Sequence, residues 1–278
     1  MAGDPLYFTA SDLSQGMSSS VQFAVATGRM EGCSMLSVEG YNPAITTATD
    51  PEDIWGGGGT YNFSTTADIV SIASNDAADT QPILIDGLDE DYNEVRQIIT
   101  LNGTTRVALT TPLIRVQLAQ NFGSTNLAGE VFIYTGTGAV PSLGDATVRA
   151  VINGSQITRQ AICTIPAGKV GFFAQGKAGL EFESSGPAAG NFARVLFLVR
   201  RFGGVFRNVQ TVTLAVSGST VYYETRLLSD AFPAKTDVKA TVDEVSATMG
   251  LDAYFTFILV DEDLFDNAYL AGIGQPGY

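Results

Sequence analysis

"RVLFLVRRFGGVFRNVQTVTLAV", residues 194–216, decides the fold class. Two runs rich in β-branched and aromatic residues flank the pair Gly203-Gly204, and neither carries a helical spacing of apolar positions. Runs of this kind on either side of a glycine corner read as two antiparallel strands. The signature recurs outward in both directions, in "VTLAVSGSTVYYETRL" (212–227), "DVKATVDEV" (237–245) and "AYFTFILV" (253–260). Asn102-Gly103 and Asn153-Gly154 mark hairpin corners, where both central residues need positive φ. The chain contains roughly fifteen to eighteen such candidate strands and no amphipathic helix. The expectation is an all-β, antiparallel β-sandwich or jelly roll of one or two domains. Its divisions are an extended N-terminal arm (1–50), a first β region (51–140), a second (141–260) and a C-terminal tail (261–278).

Composition narrows the function. The chain is 45% hydrophobic but only 16% charged, against about 25% charged in ordinary globular domains. Its net charge is −14, which argues against general nucleic-acid binding, where Lys and Arg must neutralise phosphates. The charge is uneven: up to Gly144 four basic residues face sixteen acidic ones, and Arg194, Arg200, Arg201 and Arg207 then fall in a window free of acids. Copies could therefore attract one another head to flank. There is no histidine, which removes Ser-His-Asp and Cys-His catalysis and the commonest zinc ligand. Two cysteines, Cys33 and Cys163, make no disulfide framework and read as reduced and buried. The longest apolar runs are strand-sized, so no membrane-spanning helix is expected.

Four stretches could carry chemistry. "GFFAQGKA" (171–178) approaches a phosphate-binding loop, but Ala178 stands where Ser or Thr would hold Mg²⁺, so strand–turn–strand is the better reading. "IDGLDEDYNEV" (85–95) groups Asp86, Asp89, Asp91 and Asn93 as a weak calcium-like candidate, without the glycine or closing Glu such a loop needs; a polar hairpin tip explains it better. In "EDIWGGGGTYNF" (52–63) the glycine run could cradle a ligand, or let Trp55 anchor the entrance to the β fold. "RRFGGVFRNV" (200–209) mixes Arg200, Arg201 and Arg207 with Phe202 and Phe206, a composition typical of protein interfaces. Trp55, with Leu264, Phe265, Tyr269 and Tyr278 in the tail, completes the interface candidates. No catalytic residue and no cofactor is expected.

"IWGGGGTYNF" (54–63), "ILIDGLDEDYNEVRQIITLNGTTRV" (83–107), "IPAGKVGFF" (165–173) and "GGVF" (203–206) together resemble a family of virion structural proteins of tailed phages, common in phages of marine and other aquatic bacteria. The resemblance covers roughly residues 50–210 and implies a non-enzymatic particle component, made in the host cytoplasm and assembled into the virion. The expected role is a capsid decoration or fibre-like protein. Its expected partners are other copies of itself, as a trimer, and the major capsid protein or tail components, with neither nucleic acid nor membrane. The alternatives are a tail-associated protein (adaptor, tube-associated or fibre base) and, from another class, a host-glycan-binding or depolymerase module.

Overall fold

The computed structural model describes residues 23–46, 51–181, 190–215, 222–225 and 231–265. In chain order the strands are β1 (Cys33–Ile45), β2 (Glu52–Asp53), β3 (Ile69–Ser74), β4 (Pro82–Leu88), β5 (Glu94–Thr100), β6 (Val107–Leu113), β7 (Arg115–Asn121), β8 (Val131–Thr135) and β9 (Val148–Ile152). They continue as β10 (Ile162–Thr164), β11 (Lys169–Glu181), β12 (Phe192–Arg200), β13 (Arg207–Ala215), β14 (Tyr222–Thr225), β15 (Ala231–Phe232), β16 (Asp237–Val245) and β17 (Met249–Asp261). A 3₁₀ turn, Glu262–Leu264, follows β17.

The all-β, antiparallel expectation holds. The two-sheet sandwich does not, because the strands divide among four small sheets in a propeller-like arrangement. Sheet I runs β1-β17-β11-β14, with β15 also on β11; sheet II runs β10-β16-β12-β13, with β2 on β16. Sheet III runs β6-β3-β8-β9 and sheet IV β5-β4-β7. All pairings are antiparallel; some join neighbours in sequence, such as β4 with β5 and β12 with β13, and others join distant segments, such as β1 with β17 and β10 with β16.

Apolar side chains gather where these sheets meet. One core joins sheets I and II, where Val195, Phe197, Phe255, Phe257 and Leu259 interlock. The opening stretch shows why: β12 buries alternate residues, Ala193, Val195, Phe197 and Val199, along one face. Phe257 meets the rings of Phe173 and Phe232 edge-on at 5.4 and 5.7 Å, a geometry that adds about 0.5–1.5 kcal/mol per pair beyond area burial. A second core joins sheets III and IV through Ile72, Ile83, Ile85, Leu113 and Ile133. Sheet III is covered on its other face too, because Phe132 and Tyr134 turn away from that core and pack with Trp55, Tyr61 and Ile162. β8 and β9 are therefore buried almost throughout.

Three expectations change. Residues 33–45, read as part of an irregular arm, form β1, which pairs with β17 from Cys33↔Val260 to Ile45↔Met249. The two cores divide the chain differently from a break near residue 140: β9 belongs with the second core, while Val38, Ile45 and Ile54 belong with the first. "GFFAQGKA" is neither a phosphate loop nor a turn but lies inside β11, with only a bulge between Phe173 and Gln175.

Candidate functional site

The tryptophan stretch folds as a corner. Gly58 and Gly59 adopt φ of 72° and 62°, which only glycine takes readily. The indole Nε1–H of Trp55 donates to the Gly59 carbonyl at 3.1 Å, and a side chain at Gly57 would collide with the ring. The glycine amides turn inward, Gly56 N–H to Arg159 and Gly58 N–H to Trp55, rather than converging on an open cradle. Trp55 is buried and is an internal anchor, not a surface for another copy.

Beside this corner, β2 delivers Asp53 to β16 opposite Thr241. The buried Asp53 carboxylate accepts from Lys239 Nζ at 2.9 Å, Thr241 Oγ1 at 2.5 Å and the Tyr61 N–H at 2.8 Å. Asp237, Lys239 and Thr241 alternate along β16, so all three share one face. Asp237 accepts from Arg115 (Nε 2.9 Å, Nη2 3.2 Å), from Arg200 (Nε 3.0 Å, Nη2 2.6 Å) and from the Thr164 hydroxyl (2.5 Å). Arg115 lies on β7 of sheet IV, so this cluster bolts sheet IV to sheet II. Its Nη1 also donates to the carbonyls of Ser64 and Ile114. Buried charge is costly unless paired and hydrogen-bonded, and here Asp53, Asp237 and Arg115 each have several partners, while Lys239 is held by Asp53 and Arg200 by Asp237.

Aromatic rings cover the lock. Trp55, Tyr61, Phe63 and Phe206 follow one another at centroid spacings of 5.1, 4.9 and 5.3 Å. The Arg115 guanidinium sits 5.0 Å from the Phe63 centroid, and Arg200 sits 4.6 Å from that of Phe206. Burial pushes the Tyr61 phenol up to about 12, against the pull of Arg115 and Arg149. Burial, reinforced by the charge of Asp237, also holds the Cys163 thiol far above its ordinary range. Cys33, by contrast, is only partly buried.

The β12–β13 hairpin closes over this layer. Phe206 packs inward on Phe63, while Phe202 and Val205 remain 67% and 71% exposed at the tip. Phe202 lies edge-on to Tyr92 at 5.9 Å, which brings the basic hairpin beside the acidic β4–β5 tip. Lys235 lies 5.1 Å from the Tyr92 centroid and 5.4 Å from that of Phe202. Tyr92 and Lys235 are both non-glycine residues at positive φ, 69° and 65°, so two strained positions meet here.

The candidate residues thus separate by role. Arg200 faces inward to Asp237, and Arg207 is exposed. Arg201 sits at the tip, where its carbonyl accepts from Gly204. Leu264 is exposed beside Gly32, and the Phe265 ring lies 6.0 Å from Phe172, so neither joins the hairpin tip. Tyr269 and Tyr278 lie outside the described residues. The four residues of the calcium-like candidate do not converge. Asp86 is held by Arg96 at 2.6 and 2.9 Å, and Asp89 accepts from the amides of Asp91 and Asn93 as a turn does. Among the described residues no group of three or more His, Cys, Asp or Glu could hold a metal ion. Nor is any helix there long and apolar enough to cross a membrane.

Comparison with known proteins leaves the lineage open. No family model matches the chain. No curated protein matches it either. Among solved structures, that of the infectious bursal disease virus Gt strain aligns at 11% identity over 84% of this chain and 74% of that one, with a TM-score of 0.23. T=1 particles derived from infectious bursal virus give 13% identity over 83% and 70%, with a TM-score of 0.22. The CBM22-1–GH10 modules of Clostridium thermocellum xylanase 10B, complexed with xylohexaose, give 10% over 79% of this chain but only 30% of that one, at 0.18. Overlaps this shallow assign neither fold family nor function.

Proposed function

We propose that this chain is a bacteriophage virion structural protein, a decoration or fibre-like component of the capsid that associates with copies of itself, as a trimer, and with the major capsid protein. The observation that carries the reading is the use made of buried charge. Asp53 pairs with Lys239 and Asp237 with Arg115, and the second pair, with the Arg115 bonds to backbone, ties sheet II to sheet IV. Ties of this kind between sheets suit a rigid component of a particle. The ordered motifs at 54–63, 83–107, 165–173 and 203–206, similar to those of phage structural proteins, support the same reading. Antibody labelling of intact particles tests it: label on the head supports the proposal, label on the tail moves the protein to the tail-associated alternative, and absence of the protein from purified particles refutes both.

A further inference from the structure

We propose that the tip of the β12–β13 hairpin, together with the adjoining β4–β5 tip, is the contact face between copies of this chain. The proposal deepens the reading above by placing the self-contact, and it rests on that reading only for the setting in which the contact is used. The first support is the concentration of apolar exposure. Phe202, Val205 and Val209 are three of the nine large hydrophobic residues exposed among the described ones, and they lie within a single hairpin. Phe202 and Val205 are also the most exposed of the nine. Isolated surface hydrophobics are ordinary, whereas a cluster on a projecting tip is characteristic of an interaction site.

The second support is rigidity. The tip cannot retract, because Phe206 is packed on Phe63 and Arg200 is held by Asp237 directly beneath it. A surface fixed in place before contact loses little conformational entropy on binding. Third, the charges on either side are of opposite sign. Glu90, Asp91 and Glu94 are exposed on the β4–β5 tip, and Arg207 is exposed at the start of β13. An acidic partner would be repelled by the first flank and a basic partner by the second. A second copy satisfies both, with the acidic tip of each molecule set against Arg207 of the next and the Phe202 and Val205 tips meeting at the axis. This head-to-flank contact closes into a small ring. The net charge of −14 opposes association only weakly at physiological salt, where charges beyond about 8 Å are screened.

The test is sedimentation of the full chain at micromolar concentration. The wild type should form a discrete closed oligomer. Phe202→Ser with Val205→Ser should weaken association at least about tenfold while the chain stays folded, because both side chains are largely exposed. Arg207→Glu should weaken it as well, and adding both Glu90→Arg and Glu94→Arg to Arg207→Glu should restore it, because the acidic flank then carries a net positive charge and the two flanks exchange sign. A monomeric wild type, or an oligomer indifferent to the Phe202/Val205 change, overturns the proposal. A monomer that still labels phage heads sinks this contact and leaves the virion reading standing. A Phe202-dependent oligomer absent from particles does the reverse.

Discussion

Replacing Asp237 by Asn probes the lock most directly. The substitution preserves shape and one acceptor but removes the charge that Arg115 and Arg200 share. The Arg115 side chain is 4% exposed and cannot recover water, so its guanidinium is left charged in a dry site. Breaking a buried pair in this way costs about 3–5 kcal/mol. Arg200 is 29% exposed and regains solvent, so Arg200→Ala should cost less, about 1–2 kcal/mol. Urea unfolding at constant ionic strength, followed by the fluorescence of Trp55, the chain's sole tryptophan, reads both values. Adding Arg115→Met to Asp237→Asn should recover at least half of the loss, because no unpaired buried charge then remains. The reasoning fails if Asp237→Asn lies within about 1 kcal/mol of wild type, or if the double variant is the less stable.

Other outcomes follow from the same region. Trp55→Ala should cost about 3–5 kcal/mol in the same unfolding assay, as deletions of large buried aromatics do. Gly57→Ala should also destabilise, by collision with the indole, while leaving every charge in place. Tyr61 keeps its proton in the folded chain after an unfolded tyrosine has lost it. The unfolded state then binds fewer protons from pH 10.0 to about 12, and stability falls through that window at about 1.4 kcal/mol per pH unit. Tyr61→Phe should flatten that alkaline arm of the stability–pH curve. An exposed-thiol titration should count Cys33 in the native protein and Cys163 only after unfolding, since Cys163 is buried and its thiol strongly disfavours ionisation.

The strands could be read from local chemistry wherever side-chain preference and pairing agree. β12 and β17 declare themselves through Val, Leu and Phe, and the Gly203-Gly204 corner is a local signal as well. β1 does not, because Ser37, Glu39, Gly40, Asn42 and Pro43 are poor strand formers, and the segment is extended by its pairing with β17. The lock was invisible for a different reason. Asp237, Lys239 and Thr241 alternate with Val238, Ala240 and Val242, which reads as one wet and one dry face. Both faces are buried, because Arg115, 122 residues earlier, and Asp53, 186 residues before Lys239, arrive to cover the polar one. That alternation of opposite charges was the only local hint. The meeting of Tyr92 with Phe202 likewise joins motifs that nothing local connects.

The pairing of β1 with β17 bears on the order in which the chain takes shape. The core of sheets III and IV is drawn wholly from Ile69 to Ile152, so it is complete soon after that span leaves the ribosome. Val38 and Ile45 must wait for Leu259, which at about 5–20 residues per second is a delay of roughly 10–40 s. Until then β1 is an unpaired strand edge on a nascent molecule, open to the wrong neighbour. Ser37 and Glu39 on its exposed positions, which made the strand hard to recognise, keep that waiting edge soluble.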